Sequence, residues 1–320
     1  MTTSAFIASL TTNSSLLALW GALLLHRLLP IPYQLHPLRI WHQVALLVAT
    51  RVNHPHENYS QRSLAGYLAW ALMWLTAFVL LLAISQLVWY PMLLQLTLLW
   101  LALDWHHTAH LSQQFNHAYS CNNKDQCRQL LAPHINRNTD VLSLLGLGKA
   151  GAETIILSYG RHVVGVLFWY AIGGGIAAIL YRLAIGLARA WSPTRAQYAV
   201  FGYPAIRIAA ILDIVPLRLL ALLISCGRNS RTALQGLRQQ GEHWHLPGPG
   251  WLLVATGHKL ALSLGGPAIY NNIKMERPRL GGRITPSALH IAQIQQLITQ
   301  RLYVWVAVES VLLYFFCGVL

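Results

Sequence analysis

Acidic residues are the scarcest chemistry in this chain, with nine Asp and Glu against 23 Lys and Arg in 320 residues. Charged residues of both signs make up only 10% of it, where a soluble domain carries about 25%. A water-facing globular surface is therefore excluded for most of the molecule. Cysteine is sparse as well. The four, at 121, 127, 226 and 317, form no CxxC pair and no disulfide framework, so reduced thiols are expected. Cys121 and Cys127, six apart, fit no zinc spacing. Neither GxxxxGK[ST] nor a strand–GxGxxG–helix pattern occurs, which excludes the common soluble phosphate-binding folds. No internal repeat is visible, so a transporter built from inverted halves lacks its hallmark.

Hydrophobicity fills the space these absences leave. The chain is 55% hydrophobic with a mean hydropathy of +0.44. A net charge of +14 would suggest nucleic acid in a soluble protein. Here its distribution points to lipid headgroups instead, and no nucleic-acid partner is expected. Eighteen of the 23 Lys and Arg fall in three stretches, 26–64, 106–161 and 226–301. Positive residues stay on the cytoplasmic side during insertion, so these stretches are expected to be cytoplasmic loops and both termini to lie outside.

The reading is an all-α, polytopic integral membrane protein forming a single domain over 1–320. The expected spans are 6–25, 66–88, 91–104, 163–181, 205–225 and 302–320, or five if the first run lies on the surface. That run is interrupted by Thr11-Thr12-Asn13-Ser14-Ser15. It lacks the basic n-region and cleavage site of a secretory signal, and is expected to stay attached as a helix. Trp89-Tyr90-Pro91 reads as an interfacial turn, because aromatics favour the headgroup level and Pro restarts a helix.

Arg182, Arg189, Arg207, Asp213, Arg218 and Glu309 lie in or beside apolar spans. Charges there face a partner or a water-filled cavity. A polar cleft opening to the cytoplasm is one reading; structural ion pairs with arginines snorkelling to headgroups is the other. Asp213 and Arg218, five apart, make a poor intrahelical pair, and Pro216 between them is expected to break the helix ladder. His106 and His110 share a helix face, but the Glu of HExxH is absent, and no metal site is expected. Gly173-Gly174-Gly175 sits mid-span, where it permits close helix contact.

Several segments follow one another in a telling order. They are His36-Pro37-Leu38-Arg39, Arg137-Asn138-Thr139, Glu153-Thr154, Phe168-Trp169 with Gly173-Gly174, and Pro216-Leu217-Arg218-Leu219. Near the end come Trp251, Leu264-Gly265-Gly266-Pro267, Tyr270 and Glu276-Arg277-Pro278-Arg279-Leu280-Gly281. In this order the chain resembles the CobD/CbiB family of cobalamin-biosynthesis membrane proteins. The resemblance implies the bacterial inner membrane and ATP-dependent amide formation between adenosylcobyric acid and an aminopropanol or its phosphate. It implies ATP and Mg2+ where the activity is retained, and a corrinoid ligand (cobyric acid or cobinamide). Membrane lipid is the expected surrounding partner, with a homo-oligomer as a further option.

The surviving acids, Glu153, Asp213 and Glu276, are the catalytic candidates. His36, Arg39, Arg137, Thr139, Arg207, Arg218 and Arg277 are the substrate-binding candidates, the arginines being suited to bidentate phosphate or carboxylate contact. At other positions where the family carries polar or acidic groups this chain has Asn138, Leu157, Arg161, Leu253 and the Ile185–Arg189 stretch. A synthase with a rebuilt site and a pseudoenzyme that binds a corrinoid without catalysis are both compatible with that loss. The segment Leu212-Asp213-Ile-Val-Pro216-Leu-Arg218-Leu219 also resembles AmpE, which makes a non-catalytic inner-membrane sensor or regulator the alternative.

Overall fold

A computed structural model describes residues 13–32, 36–54, 56–227, 229–270 and 273–317, with side chains as far as 315. Helix α1 (Ser14–Leu28) begins where the Asn13 side chain accepts the Leu16 N–H at 3.1 Å. This is the usual way to satisfy one of the unpaired donors of a first turn. Helix α2 (Pro37–Val52) opens on His36 as its cap, with Pro at the first helical position. Helices α3 (Tyr59–Leu87) and α4 (Pro91–Ala102) follow, joined by a turn in which Trp89 is 91% exposed. The turn expected at Trp89-Tyr90-Pro91 is present, with Pro91 opening α4.

After α5 (Trp105–Ser120) and α6 (Lys124–Leu131) comes α7 (Leu144–Tyr159), which a π-turn at Gly160–Val164 joins to α8 (Gly165–Ala190). The three form one apolar rod of 47 residues. Helices α9 (Tyr203–Ser225), α10 (Ser230–Gln240) and α11 (Pro247–Lys259) lead to four short strands and the final helix α12 (Ala288–Cys317). Strand β1 (Ser263–Gly265) pairs antiparallel with β4 (Arg279–Gly281), and β2 (Ala268–Tyr270) with β3 (Ile273–Met275).

The protein is a helical membrane protein. Among the described residues, four helices are long and apolar enough to cross a bilayer: α3, the Leu144–Ala190 rod, α9 and α12 up to Phe315. They contain or match the expected spans 66–88, 163–181, 205–225 and 302–317. The other two expected spans are represented by α1, 15 residues, and α4, 12 residues. At 1.5 Å per residue both fall short of about 30 Å of hydrocarbon. Residues 6–12 and 318–320 of the expected spans lie outside the described residues. On α3, Leu64, Leu68, Leu72, Leu75 and Val79 form an exposed stripe. A stripe of this kind belongs against lipid, since soluble monomers rarely expose such a patch.

Three expectations need correction or refinement. The stretches 106–161 and 226–301, read as loops, are largely folded into α5–α7, α10, α11 and the strand pairs. Pro216 does not break α9, which runs through it. The carbonyl that Pro216 leaves without a donor, Leu212 O, accepts instead from Trp169 Nε1 of α8 at 3.3 Å. Gly174 bends α8 with φ +65°, and a Cβ there would fall 2.5 Å from Gln95 Oε1 of α4. Gln95 Oε1 accepts the Gly175 N–H, so the glycine run does allow the close contact expected of it.

Candidate functional site

Glu153 sits on the inward face of α7 with a side chain only 6% exposed. Three donors converge on it. Arg137 Nη2 reaches Oε2 at 2.9 Å, and both terminal nitrogens of Arg277 reach the same oxygen at 3.5 Å. Oε1 accepts the Gly265 N–H at 2.8 Å. Each donor is delivered by local structure. The loop bearing Arg137 is tied to β2, Asn138 N–H donating to Ile269 O at 3.2 Å. Gly265 ends β1 with φ +69°, and a Cβ would meet Pro278 O at 2.3 Å, so only glycine presents its N–H here. The Arg277 guanidinium lies 5.1 Å from the Trp244 ring centroid and donates from Nε to Gly266 O at 3.0 Å.

Arg137, Glu153, Trp244 and Arg277 line a cavity of about 310 Å³. Arg137, Arg161, Arg189 and Arg277 line it, and Glu153 is the one carboxylate among the lining residues. Arg161 projects from the π-turn, a backbone irregularity often found at functional sites. Its Nε donates to Asp213 Oδ2 at 2.7 Å, and Tyr181 OH donates to Asp213 Oδ1 at 2.8 Å. Asp213 is fully buried on α9 and stands behind Arg161, outside the cavity lining. The cavity is thus basic, with hydroxyls of Thr154, Ser158, Ser192 and Thr194 on its wall. Such a surface suits an oxyanion that accepts several charge-assisted hydrogen bonds.

The structure brings Glu153, Arg137 and Arg277 together and sets Asp213 one residue behind the wall. It does not bring in the other candidates. Glu276 is exposed and pairs with Lys274 at 3.2 Å. Arg207 and Arg218 pack over Tyr203 and Trp251, each 4.6 Å from the ring, with Arg218 3.9 Å from Glu242. Arg39 is exposed. His36 is spent on capping α2, where Nδ1 accepts the Leu38 N–H at 3.3 Å. Thr139 is buried beside Arg137, its carbonyl accepting the Leu142 N–H at 3.2 Å. Arg161, His162 and Trp244 line the cavity but were not among the candidates. The sequence signal for Arg161 and His162 is a basic residue and a histidine inside an otherwise apolar run, and Trp244 carries none.

A second polar cluster adjoins the π-turn. Asp104, between α4 and α5, accepts from Arg182 Nη2 at 3.0 Å and bonds His107 Nδ1 at 3.0 Å, with His162 Nδ1 at 3.7 Å. Asp104 closes the expected 91–104 span, and its carboxylate is partnered there by the His107 ring and the Arg182 guanidinium. The same bond to Asp104 raises His107. A histidine raised on folding stabilises fully below its unfolded pKa, and that contribution disappears as pH rises through the folded value. His107→Ala should therefore lower the unfolding midpoint more at about pH 6 than at about pH 8.5. Equal losses at both would show that the pair contributes nothing.

Mg2+, which the resemblance implies, finds no place among these groups. It needs oxygen ligands in near-octahedral array, one or two of them carboxylates. The oxygens of Glu153 are occupied by two guanidinium groups and a backbone N–H, and those of Asp213 by Arg161 and Tyr181. No cluster of three or more His, Cys, Asp or Glu side chains able to hold a metal occurs among the described residues.

An apolar helical bundle enclosing a cavity lined with arginine defines a polytopic helical membrane protein. The pattern of the CobD/Cbib protein family matches residues 19–299, and the chain belongs to that family. It is 31% identical over 295 residues to the cobalamin biosynthesis protein CobD of Stutzerimonas stutzeri (strain A1501), covering 92% of this chain and 97% of the relative. Chromobacterium violaceum has a protein of the same description that is 29% identical over 292 residues, 90% of this chain and 93% of its own. A third, from Streptococcus sanguinis (strain SK36), is 24% identical over 285 residues, 83% of this chain and 87% of the relative. No solved structure matches the chain.

Proposed function

We propose that this protein acts in cobalamin biosynthesis on a corrinoid, and that the arginine-lined cavity holds the anionic group of a reactant. The family resemblance gives the reaction: an amide bond between an adenosylcobyric acid carboxyl and an aminopropanol or its phosphate. The observation that carries the reading is the clamp on Glu153. Arg137, Arg277 and the Gly265 N–H meet there from three segments, each of which resembles a family motif. Nothing in packing alone requires two guanidinium groups at one buried carboxylate. The charge ratio of four arginines to one acid on the wall leaves positive potential for a phosphate or carboxylate. A binding role without catalysis is the second reading, favoured by the occupied state of Glu153 and Asp213.

Complementation separates the two. A strain lacking the CobD/CbiB synthase, fed cobyric acid, grows on this chain if it is a synthase. Absence of growth, with the protein confirmed in the membrane, assigns the binding role.

The whole chain is proposed to be one inner-membrane unit with both termini outside and the basic stretches cytoplasmic, an arrangement in which α1 and α4, extended by the residues that flank them, also cross the bilayer. The charge bias supports that orientation. Cys121, exposed beyond α5, reports on it. In a variant keeping only that cysteine, an impermeant maleimide should label inside-out vesicles and leave intact spheroplasts unlabelled. Labelling of intact spheroplasts would reverse the orientation.

A further inference from the structure

We infer that the cavity binds a phosphate group without a divalent cation, with guanidinium groups in the role a magnesium ion fills elsewhere. The inference rests on the reading of the cavity as an anion site and adds how the charge is neutralised. The chain has nine acidic residues in all, and Glu153 is the one that lines the cavity. Its Oε2 accepts from Arg137 at 2.9 Å and from Arg277 at 3.5 Å, and its Oε1 from the Gly265 N–H at 2.8 Å. A magnesium ion taking either oxygen would displace one of these donors. It would also stand against two guanidinium groups in a buried site, where like charges repel most strongly.

The neighbouring acids offer no alternative. Asp213 is closed off by Arg161 at 2.7 Å and Tyr181 at 2.8 Å. Asp104 is held by Arg182 and His107, each at 3.0 Å. Phosphate oxygens, by contrast, find donors ready-made. Arg161 uses Nε for Asp213, and its planar fork leaves the terminal nitrogens to bind an oxyanion. Arg161 stands where the family resemblance places an aspartate. That exchange converts a position suited to a metal into one suited to the phosphate itself.

The test uses the full-length protein in detergent, with inorganic pyrophosphate as probe and calorimetric titration as readout. Binding should occur in EDTA and weaken about threefold in excess Mg2+, since the metal neutralises the probe before the arginines do. The double variant Arg161→Gln/Asp213→Asn, which removes the pair as a neutral unit, should weaken binding in EDTA about tenfold. Arg189→Gln, at an exposed wall position, should weaken it too, and serves should the double variant not fold. Binding that requires Mg2+, or that ignores both variants, overturns the inference. Pyrophosphate that binds neither with nor without the metal contradicts the anion-site reading as well, so the two failures are told apart.

Discussion

Replacing Glu153 by Ala should lower the unfolding midpoint of the solubilised protein by roughly 5–15 °C, equivalent to about 3–5 kcal/mol. The reason is what the substitution leaves behind. Arg137 and Arg277 have side chains 7% and 8% exposed, and without the carboxylate two positive charges remain buried and facing one another. The Gly265 N–H loses its acceptor at the same time. Removing one member of a buried ionic group is far more destabilising than replacing the whole group with apolar residues of similar volume. Glu153→Met/Arg137→Met/Arg277→Met should therefore recover most of the lost stability while abolishing function. A fall under about 2 °C for Glu153→Ala would mean the clamp is loose and solvated, and the cavity geometry wrong.

The second large effect falls on Asp213, which is fully buried and holds Arg161 and Tyr181 together. Asp213→Ala should be destabilising by about 3–5 kcal/mol, because it strands a guanidinium and a phenol OH among apolar helices. Asp213→Asn keeps an acceptor for Tyr181 and loses only the charge, so it should be destabilising by about 1–3 kcal/mol. Arg161→Gln added to Asp213→Asn should cost less than the sum of the two single changes, as expected for directly coupled residues. Strict additivity, measured by thermal unfolding of the four proteins, would show that the pair does not form.

Much of this site was legible in the sequence because three of its members belong to ordered motifs: Arg137, Glu153 and Arg277. The helical membrane class followed from charge scarcity and the spacing of basic stretches. What sequence order could not show is which neighbours face inward. Glu276 and Arg277 are adjacent, but in extended chain successive side chains take opposite sides, so Arg277 reaches Glu153 while Glu276 meets Lys274 outside. On α9, Arg218 lies five residues from Asp213, about 140° around the helix at 3.6 residues per turn, and packs on Trp251 instead. Arg161 read only as a lost aspartate. Its partner Asp213 comes from another helix 52 positions away, a compensation that no position-by-position reading shows. The ribbons at 263–281 were hidden because each strand is three residues long, too short for a period-2 pattern to register.

The basic cavity, and not the exposed acid beside it, is expected to carry the function. Growth of the synthase-deficient strain on cobyric acid is the decisive measurement, with two variants side by side at equal membrane levels. Glu276→Gln should support growth like the unaltered chain, and Arg161→Gln/Asp213→Asn should support none. Growth on the double variant, or its loss with Glu276→Gln, would show that the cavity does not carry the function.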